Sequence, residues 1–202
     1  MTLADTLRED ILSGALPAGT VLLQTELATR HGTSRIPVRD ALQRLAADRL
    51  VTLIPGKGAR VIALSPAELT EVFDLRVLLE CDLLVRAAQS ADADAHAAAE
   101  TALRKSDLDA GRPGWRQGDA AFHAALYAPA GRPRQMAMIA ELRDTCAVHT
   151  HRYDRLISKT DQWLADHQGI FDCWRQGKGS VAAALLARHI LAARDHLLPQ
   201  MG

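Results

Sequence analysis

The spacing of apolar residues changes character near residue 64. Before that point, apolar positions come in short stretches set apart by turn formers. Leu3, Leu7 and Ile11 recur at helical spacing and predict a first helix over about 4–13, closed by Gly14 and Pro17. Thr25 to Arg30 reads as a short second helix with Leu27 and Ala28 inward, broken by His31-Gly32. A third helix begins near Ser34, accommodates Pro37 in its first turn, and buries Val38, Ala41, Leu42 and Leu45. Leu50 to Ile54 and Ala59 to Ala63 flank Pro55-Gly56-Lys57-Gly58, which reads as strand, tight turn, strand. Three helices and a hairpin in this order predict a winged helix-turn-helix over residues 1–64.

From Ser65 onward the chain is rich in Ala and Leu and keeps a helical period. Ser65 and Glu68 form a candidate capping box. Helices are predicted at about 66–90, 92–109, 114–128, 133–157, 160–177 and 179–198. The breaks are Gly111-Arg112-Pro113-Gly114, Pro129 to Pro133, and Gly177 to Gly179. The fold class expected is therefore mainly α: a winged helix-turn-helix over 1–64, then an all-α six-helix bundle over 65–202. The run Ala91 to Ala102 is helix-favouring composition, not disorder.

Composition narrows the class. Of 202 residues, 48% are apolar, enough for a packed core. No stretch approaches the ~18 consecutive apolar residues of a membrane span, and the first residues lack a signal peptide's basic start and apolar run. Cys81, Cys146 and Cys173 are odd in number, widely spaced and without a CxxC, so neither a disulfide framework nor a thiolate zinc site is expected. A cytoplasmic protein with no membrane partner is the expectation.

Charge is distributed unevenly. The chain carries 24 Lys+Arg against 24 Asp+Glu, yet residues 27–60 hold seven basic residues and two acidic ones. That local excess suggests a polyanion partner for this segment. Arg35 and Arg39 are four apart, so they share one edge of the third helix at its N-terminal end, where a recognition helix enters the major groove. Arg44 takes a neighbouring exposed position. A guanidinium fork bonds guanine O6 and N7 together or clamps phosphate. Thr25, Thr33 and Ser34 are suited to phosphates, and Lys57 and Arg60 flank the wing turn. Two arginines alone read as surface residues; in this order of helices and basic hairpin they read as a double-stranded DNA interface.

The run Ile11-Leu12-Ser13-Gly14-x-Leu16-Pro17-x-Gly19, then Glu26-Leu27-Ala28, then Ser34-Arg35-x-Pro37-Val38-Arg39-Asp40-Ala41-Leu42-x-Arg44-Leu45, resembles the DNA-binding domain of the GntR family of bacterial transcription regulators. The resemblance spans residues 3–63. It implies that Arg35, Arg39 and Arg44, with Gly56 and Lys57 of the wing, face operator DNA. Two departures stand out. Thr25 occupies a position where some members carry a base-contacting arginine, and Asp48-Arg49 stands where an acidic-Gly pair is expected.

The helical half concentrates histidines on apolar faces. Asp119 and His123 are i, i+4 on a face with Trp115, Phe122 and Leu126. His167 lies in the stripe Leu164, Ile170, Phe171, Trp174, and His189 in the stripe Leu185, Leu186, Ala193, Leu197. Any one of these reads as a satisfied core histidine. Three with a carboxylate, on three helices of one small bundle, are satisfied together by one metal. Nitrogen-rich ligation with one carboxylate suits zinc first, then nickel or iron, ahead of magnesium or calcium. His149, His151 and His196 are rival ligands. His149 and His151 point apart on a helix, and His196 shares the face of His189 as a rival or a cavity-lining, effector-contacting residue.

Asp119-x-x-Phe122-His123-x-x-Leu126, then Asp166-His167-x-x-Ile170 and His189, with Arg76-x-x-Leu79-Glu80 before them, resembles the effector-binding FCD domain of the FadR-like branch of that family. The resemblance covers about 66–198 and implies that Asp119, His123, His167 and His189 hold a divalent metal. Pro129-Ala130-Gly131-Arg132 stands in place of the usual Ser-Gly-Asn segment, and Asp166 in place of a more usual Glu.

These readings converge on a regulator, not an enzyme. It is expected to be a homodimer on a two-fold operator, in the repressor mode commoner in the family, released by a small organic acid held on the metal. Arg76 is the candidate second anchor for that acid, beside an inward series of Val72, Leu75 and Leu79; its other reading is an i, i+4 salt bridge to Glu80, and both can hold. A regulator sensing the metal itself and a metal-dependent hydrolase are the alternatives, the second lacking an identifiable general base.

Overall fold

The computed structural model describes residues 1–112, 115–149 and 160–201. Contacts divide the chain into two compact units. Of the described residues, one comprises 1–72, 141–149 and 201; the other comprises 73–112, 115–140 and 160–200.

In the first unit, α1 (Leu3–Leu12) starts on a full capping box between Thr2 and Asp5. It is followed by β1 (Val21–Leu23), α2 (Gln24–Arg30), α3 (Arg35–Ala47), β2 (Val51–Ile54) and β3 (Gly58–Val61). The sheet has three strands, in the order β1-β3-β2, both pairs antiparallel. Strands β2 and β3 form the hairpin the sequence predicts, and β1 is a third strand that its pattern does not announce. Gly58 is where that third strand closes in: a Cβ there would lie 1.9 Å from the Leu22 carbonyl oxygen, so only glycine permits the approach. Leu7, Ile11, Val38, Leu42, Leu45, Leu50 and Val61 make the core, joined by Ala147 and Val148 from the end of α7 (Pro133–His149). Arg8 bonds both Asp48 and, at 2.7 Å, Asp144. The Leu64 N–H donates to His149 Nε2 at 2.9 Å.

The second unit holds α4 from Phe73 (the helix spans Pro66–Ser90), α5 (Ala93–Asp109), α6 (Trp115–Tyr127), the first half of α7, α8 (Thr160–Arg175) and α9 (Gly179–Leu197). These are the six helices the sequence predicts. The predicted extension of α7 to residue 157, together with His151, lies outside the described residues, as do Pro113 and Gly114 of the preceding break. The buried face of α4 is Leu69, Phe73, Arg76, Glu80, Leu83, Leu84 and Ala87. The expected inward series is out of phase with it: Leu75 is 41% exposed, and Val72 and Leu79 are half-buried. Gly118 lets α6 close on α5, since a Cβ there would meet Ser106 Cα at 3.1 Å. Among the described residues no helix is long and apolar enough to cross a membrane.

Candidate functional site

The first unit presents α3 and the wing. Thr33, Ser34, Arg35, Arg39 and Arg44 are all exposed. Ser34 is the N-cap of α3 but makes no side-chain cap bond, which leaves the first-turn N–H groups of this helix open to an outside acceptor. Arg39 sits 3.7 Å from Asp40 with both side chains more than half exposed, a loose pair of small energetic weight. Gly56, at φ 70°, and Lys57 form the exposed tip between β2 and β3. Arg60 is turned back on the fold, donating to the Gly19 carbonyl at 3.0 Å. The sequence reading missed Ile36. It is 63% exposed between Arg35 and Pro37, where an apolar side chain has no core to join and suits a thymine methyl.

The second unit brings Asp119, His123, His167 and His189 together. All four are buried, and one ligand atom from each lies within 4.8 Å of every other. Asp119 and His123 come from successive turns of α6, His167 from α8, His189 from α9. Asp119 Oδ1 is 3.3 Å from His167 Nε2 and 3.7 Å from His123 Nε2; His167 Nε2 is 3.3 Å from His189 Nε2. Ligand atoms of a tetrahedral zinc lie roughly 3.4 Å apart, given bonds of about 2.0–2.1 Å. The spacing fits such an ion, and the donor set is one that zinc, nickel or iron accepts.

The neighbouring hydrogen bonds orient the rings of the cluster. Tyr127 donates its hydroxyl to Glu80 Oε2 at 2.7 Å, so its oxygen accepts from His123 Nδ1 at 3.1 Å. That places the His123 proton on Nδ1 and the Nε2 lone pair inward. His189 Nδ1 is 3.4 Å from Asp166 Oδ2, with the same consequence. Burial holds His189 below the usual histidine range, which keeps it neutral and able to donate its lone pair. The hydrogen bond from His189 holds the Asp166 carboxyl below its usual range, so it stays an anion behind the ring. Phe122, Trp163 and the histidine rings pack on one another at centroid distances of 4.8 to 5.8 Å.

Arg76 donates through Nε to Glu80 Oε1 at 2.7 Å and stacks over Phe73; its side chain is buried. The expected salt bridge is present, and Glu80 joins Arg76 to Tyr127 and hence to His123. His196, on the last turn of α9, is not part of the four-residue cluster; among the described residues its buried Nε2 has no hydrogen-bond partner. His149 is occupied in the first unit, accepting from Leu64 and bonding the Thr145 carbonyl. Sequence reasoning passed over Tyr127 as a positioning residue and noted Asp166 only as a variant position. The signal for Tyr127 was there, four residues after His123 on the same helix face. Cys81 is a bystander: burial and the Glu80 charge push its thiol up to about 11.

Comparison with known proteins places both regions. Residues 1–61 match the model for bacterial regulatory proteins of the gntR family, and residues 71–192 match the FCD domain. The HTH-type transcriptional repressor GlaR of Escherichia coli is 30% identical over 203 residues, covering 95% of this chain and 89% of that protein. An HTH-type regulator from the TAR-I ttuE-ttuC' intergenic region of Agrobacterium vitis is 35% identical over 137 residues, 62% of this chain and 77% of that one. The gluconate operon transcriptional repressor of Bacillus subtilis is 40% identical over 74 residues, 37% of this chain and 30% of its own length. Among solved structures, McbR/YncC of E. coli superposes with a TM-score of 0.84 at 20% identity, covering 98% of this chain and 96% of the other, which is a likeness of fold.

Proposed function

The chain belongs to the gntR family of bacterial regulatory proteins and carries an FCD domain, so it is a DNA-binding transcription regulator and not an enzyme, and we propose that its helical unit binds one divalent metal through Asp119, His123, His167 and His189 and uses it to hold a small organic acid that tunes operator binding. The observation that carries this reading is the convergence of three imidazole nitrogens and a carboxylate oxygen, two of the rings already turned lone pair inward. Zinc is the first choice of ion. Once bound, it supplies a Lewis-acidic centre for a carboxylate oxygen.

The protein's own residues do the rest. Asp166 and the Tyr127–Glu80 pair hold the rings of His189 and His123. Arg76, held by Glu80, is the proposed contact for the far end of the acid, and His196, whose Nε2 is buried without a partner among the described residues, is the second proposed effector contact. Arg35, Arg39 and Arg44 of α3, with Thr33, Ser34 and the wing residues Gly56 and Lys57, contact a two-fold operator as parts of a homodimer in the cytoplasm. Two of the relatives are named repressors, which supports repression relieved by the acid.

The test is a calorimetric panel of hydroxy-, keto- and sugar acids, titrated into zinc-loaded and chelator-treated protein, with operator binding measured alongside. An acid that binds only the loaded protein and changes operator affinity about 5–150-fold is the expected result. Arg76→Ala should weaken that acid without removing metal. Equal binding by chelated protein would reject the metal-anchored reading. Operator affinity that follows zinc alone, with no acid, would make the metal itself the signal.

A further inference from the structure

Each histidine of the cluster presents Nε2 to the centre and turns Nδ1 away from it. Two of these rear nitrogens end on a carboxylate: His189 on Asp166 directly, His123 on Glu80 through the Tyr127 hydroxyl. The third does not. His167 is fully buried, and its Nδ1 has no hydrogen-bond partner among the described residues. An imidazole that ligates through Nε2 must carry its proton on Nδ1, and a buried N–H without an acceptor is costly.

One acceptor near it is in the same condition. Asp107, on α5, has an Oδ1 shut off from solvent and likewise without a partner among the described residues. Helix α5 packs against both α6 and α8, the latter carrying His167. The close approach of Gly118 to Ser106 fixes α6 at the residue before Asp107. The Asp107 carboxyl and the His167 ring lie within electrostatic reach of each other.

We propose that Asp107 is the positioning residue for His167: when the metal occupies Nε2, the Nδ1–H of His167 donates to Asp107 Oδ1, and every histidine ligand then has a carboxylate behind it. The inference rests on the metal reading above. A metal on Nε2 makes the opposite N–H a stronger donor, and an anionic acceptor returns the gain as ligand basicity and a fixed ring plane. Asp107 makes no contact with the ion in this scheme; it acts through His167 alone.

The experiment measures zinc affinity by competition with a chromogenic chelator, on the full-length wild type, Asp107→Asn, Asp107→Glu and Asp166→Asn. Asp107→Asn should bind zinc about 10–100-fold more weakly, as should Asp166→Asn, and Asp107→Glu should recover part of the loss. The cobalt-loaded protein gives a second readout: its visible bands should shift in Asp107→Asn, because the His167 ring plane is no longer set. Wild-type affinity and spectrum in Asp107→Asn, with Asp166→Asn weakened, would overturn the assignment while leaving the metal site standing. A wild type that holds no zinc would overturn both. Should Asp107→Asn not fold, histidine nitrogen NMR of the zinc-loaded wild type decides: an exchange-protected Nδ1–H at His167 supports Asp107, and a freely exchanging one rejects it.

Discussion

Arg49 shows how one residue can strain a motif that otherwise obeys every local rule. Helix α3 closes with Asp48 as its cap, the Arg49 N–H bonding the Ala46 carbonyl and the Leu50 N–H bonding the Leu45 carbonyl. That double bond pattern is the Schellman closure, which puts the residue after the cap in the left-handed region, where glycine is preferred. Arg49 occupies it at φ 56°, the one non-glycine residue with positive φ among those described. The left-handed conformation costs an L-residue about 1–2 kcal/mol. Its ion pair to Glu141, at 3.1 Å and 78% exposed on the arginine side, returns little of that. Arg49→Gly removes the strain but adds roughly 0.4–1 kcal/mol of unfolded-state entropy. The net expectation is a small gain, about 0.5 kcal/mol, read as a higher midpoint in urea with unchanged slope. A loss of stability would show that the Glu141 pair outweighs the backbone.

At the scale of elements, the proposed DNA contacts fall on two elements, helix α3 and the wing. Arg35 and Arg39 stand on the exposed N-terminal edge of α3, so their loss should be sequence-specific, on the order of 1–3 kcal/mol each if they reach base edges. Lys57 is at the tip of a hairpin, suited to phosphate, so Lys57→Ala should weaken specific and non-specific DNA alike and lower the salt slope by about one unit. Footprinting and salt titrations separate the two; an unchanged footprint in Arg35→Ala would remove α3 from the groove. The helices that carry these residues were legible in the sequence because their apolar period, caps and breakers agree. Strand β1 was not, because three residues with only Leu22 buried carry no alternation, and what makes them a strand is pairing with β3 far along the chain. The phase of α4 was misread for a related reason: the helix is apolar on several sides, and its most buried polar pair, Arg76 and Glu80, looks like a surface pair in one dimension. That Asp119, His123, His167 and His189 come together was legible because each falls on an apolar stripe of a bundle helix. The groups around them were not: Tyr127 bonds His123 only through the fold, and an aspartate near a helix end such as Asp107 reads as solvated until a neighbouring helix covers it.

For the whole molecule, the four proposed ligands come from three helices of one unit, and the core of the other unit contains none of them. Metal removal should therefore destabilise the helical unit selectively. Trp115, Trp163 and Trp174 are the chain's three tryptophans, and all lie in that unit, so their fluorescence reports its unfolding and not that of the winged-helix unit. Free zinc at a hundred times its Kd stabilises the bound form by about 2.7 kcal/mol. At about 2–4 °C per kcal/mol for a chain of this size, the tryptophan-reported midpoint should fall by roughly 5–11 °C when a strong chelator is added. The chelator leaves Asp119 and the three histidines buried with no cation to neutralise or bridge them, which adds to the loss. His123→Ala should lower the midpoint and abolish its response to chelator, because the site no longer holds the ion. His31→Ala, in the other unit, should keep the full response. A tryptophan midpoint indifferent to chelator in protein that demonstrably carries zinc would place the ion elsewhere than at these four residues.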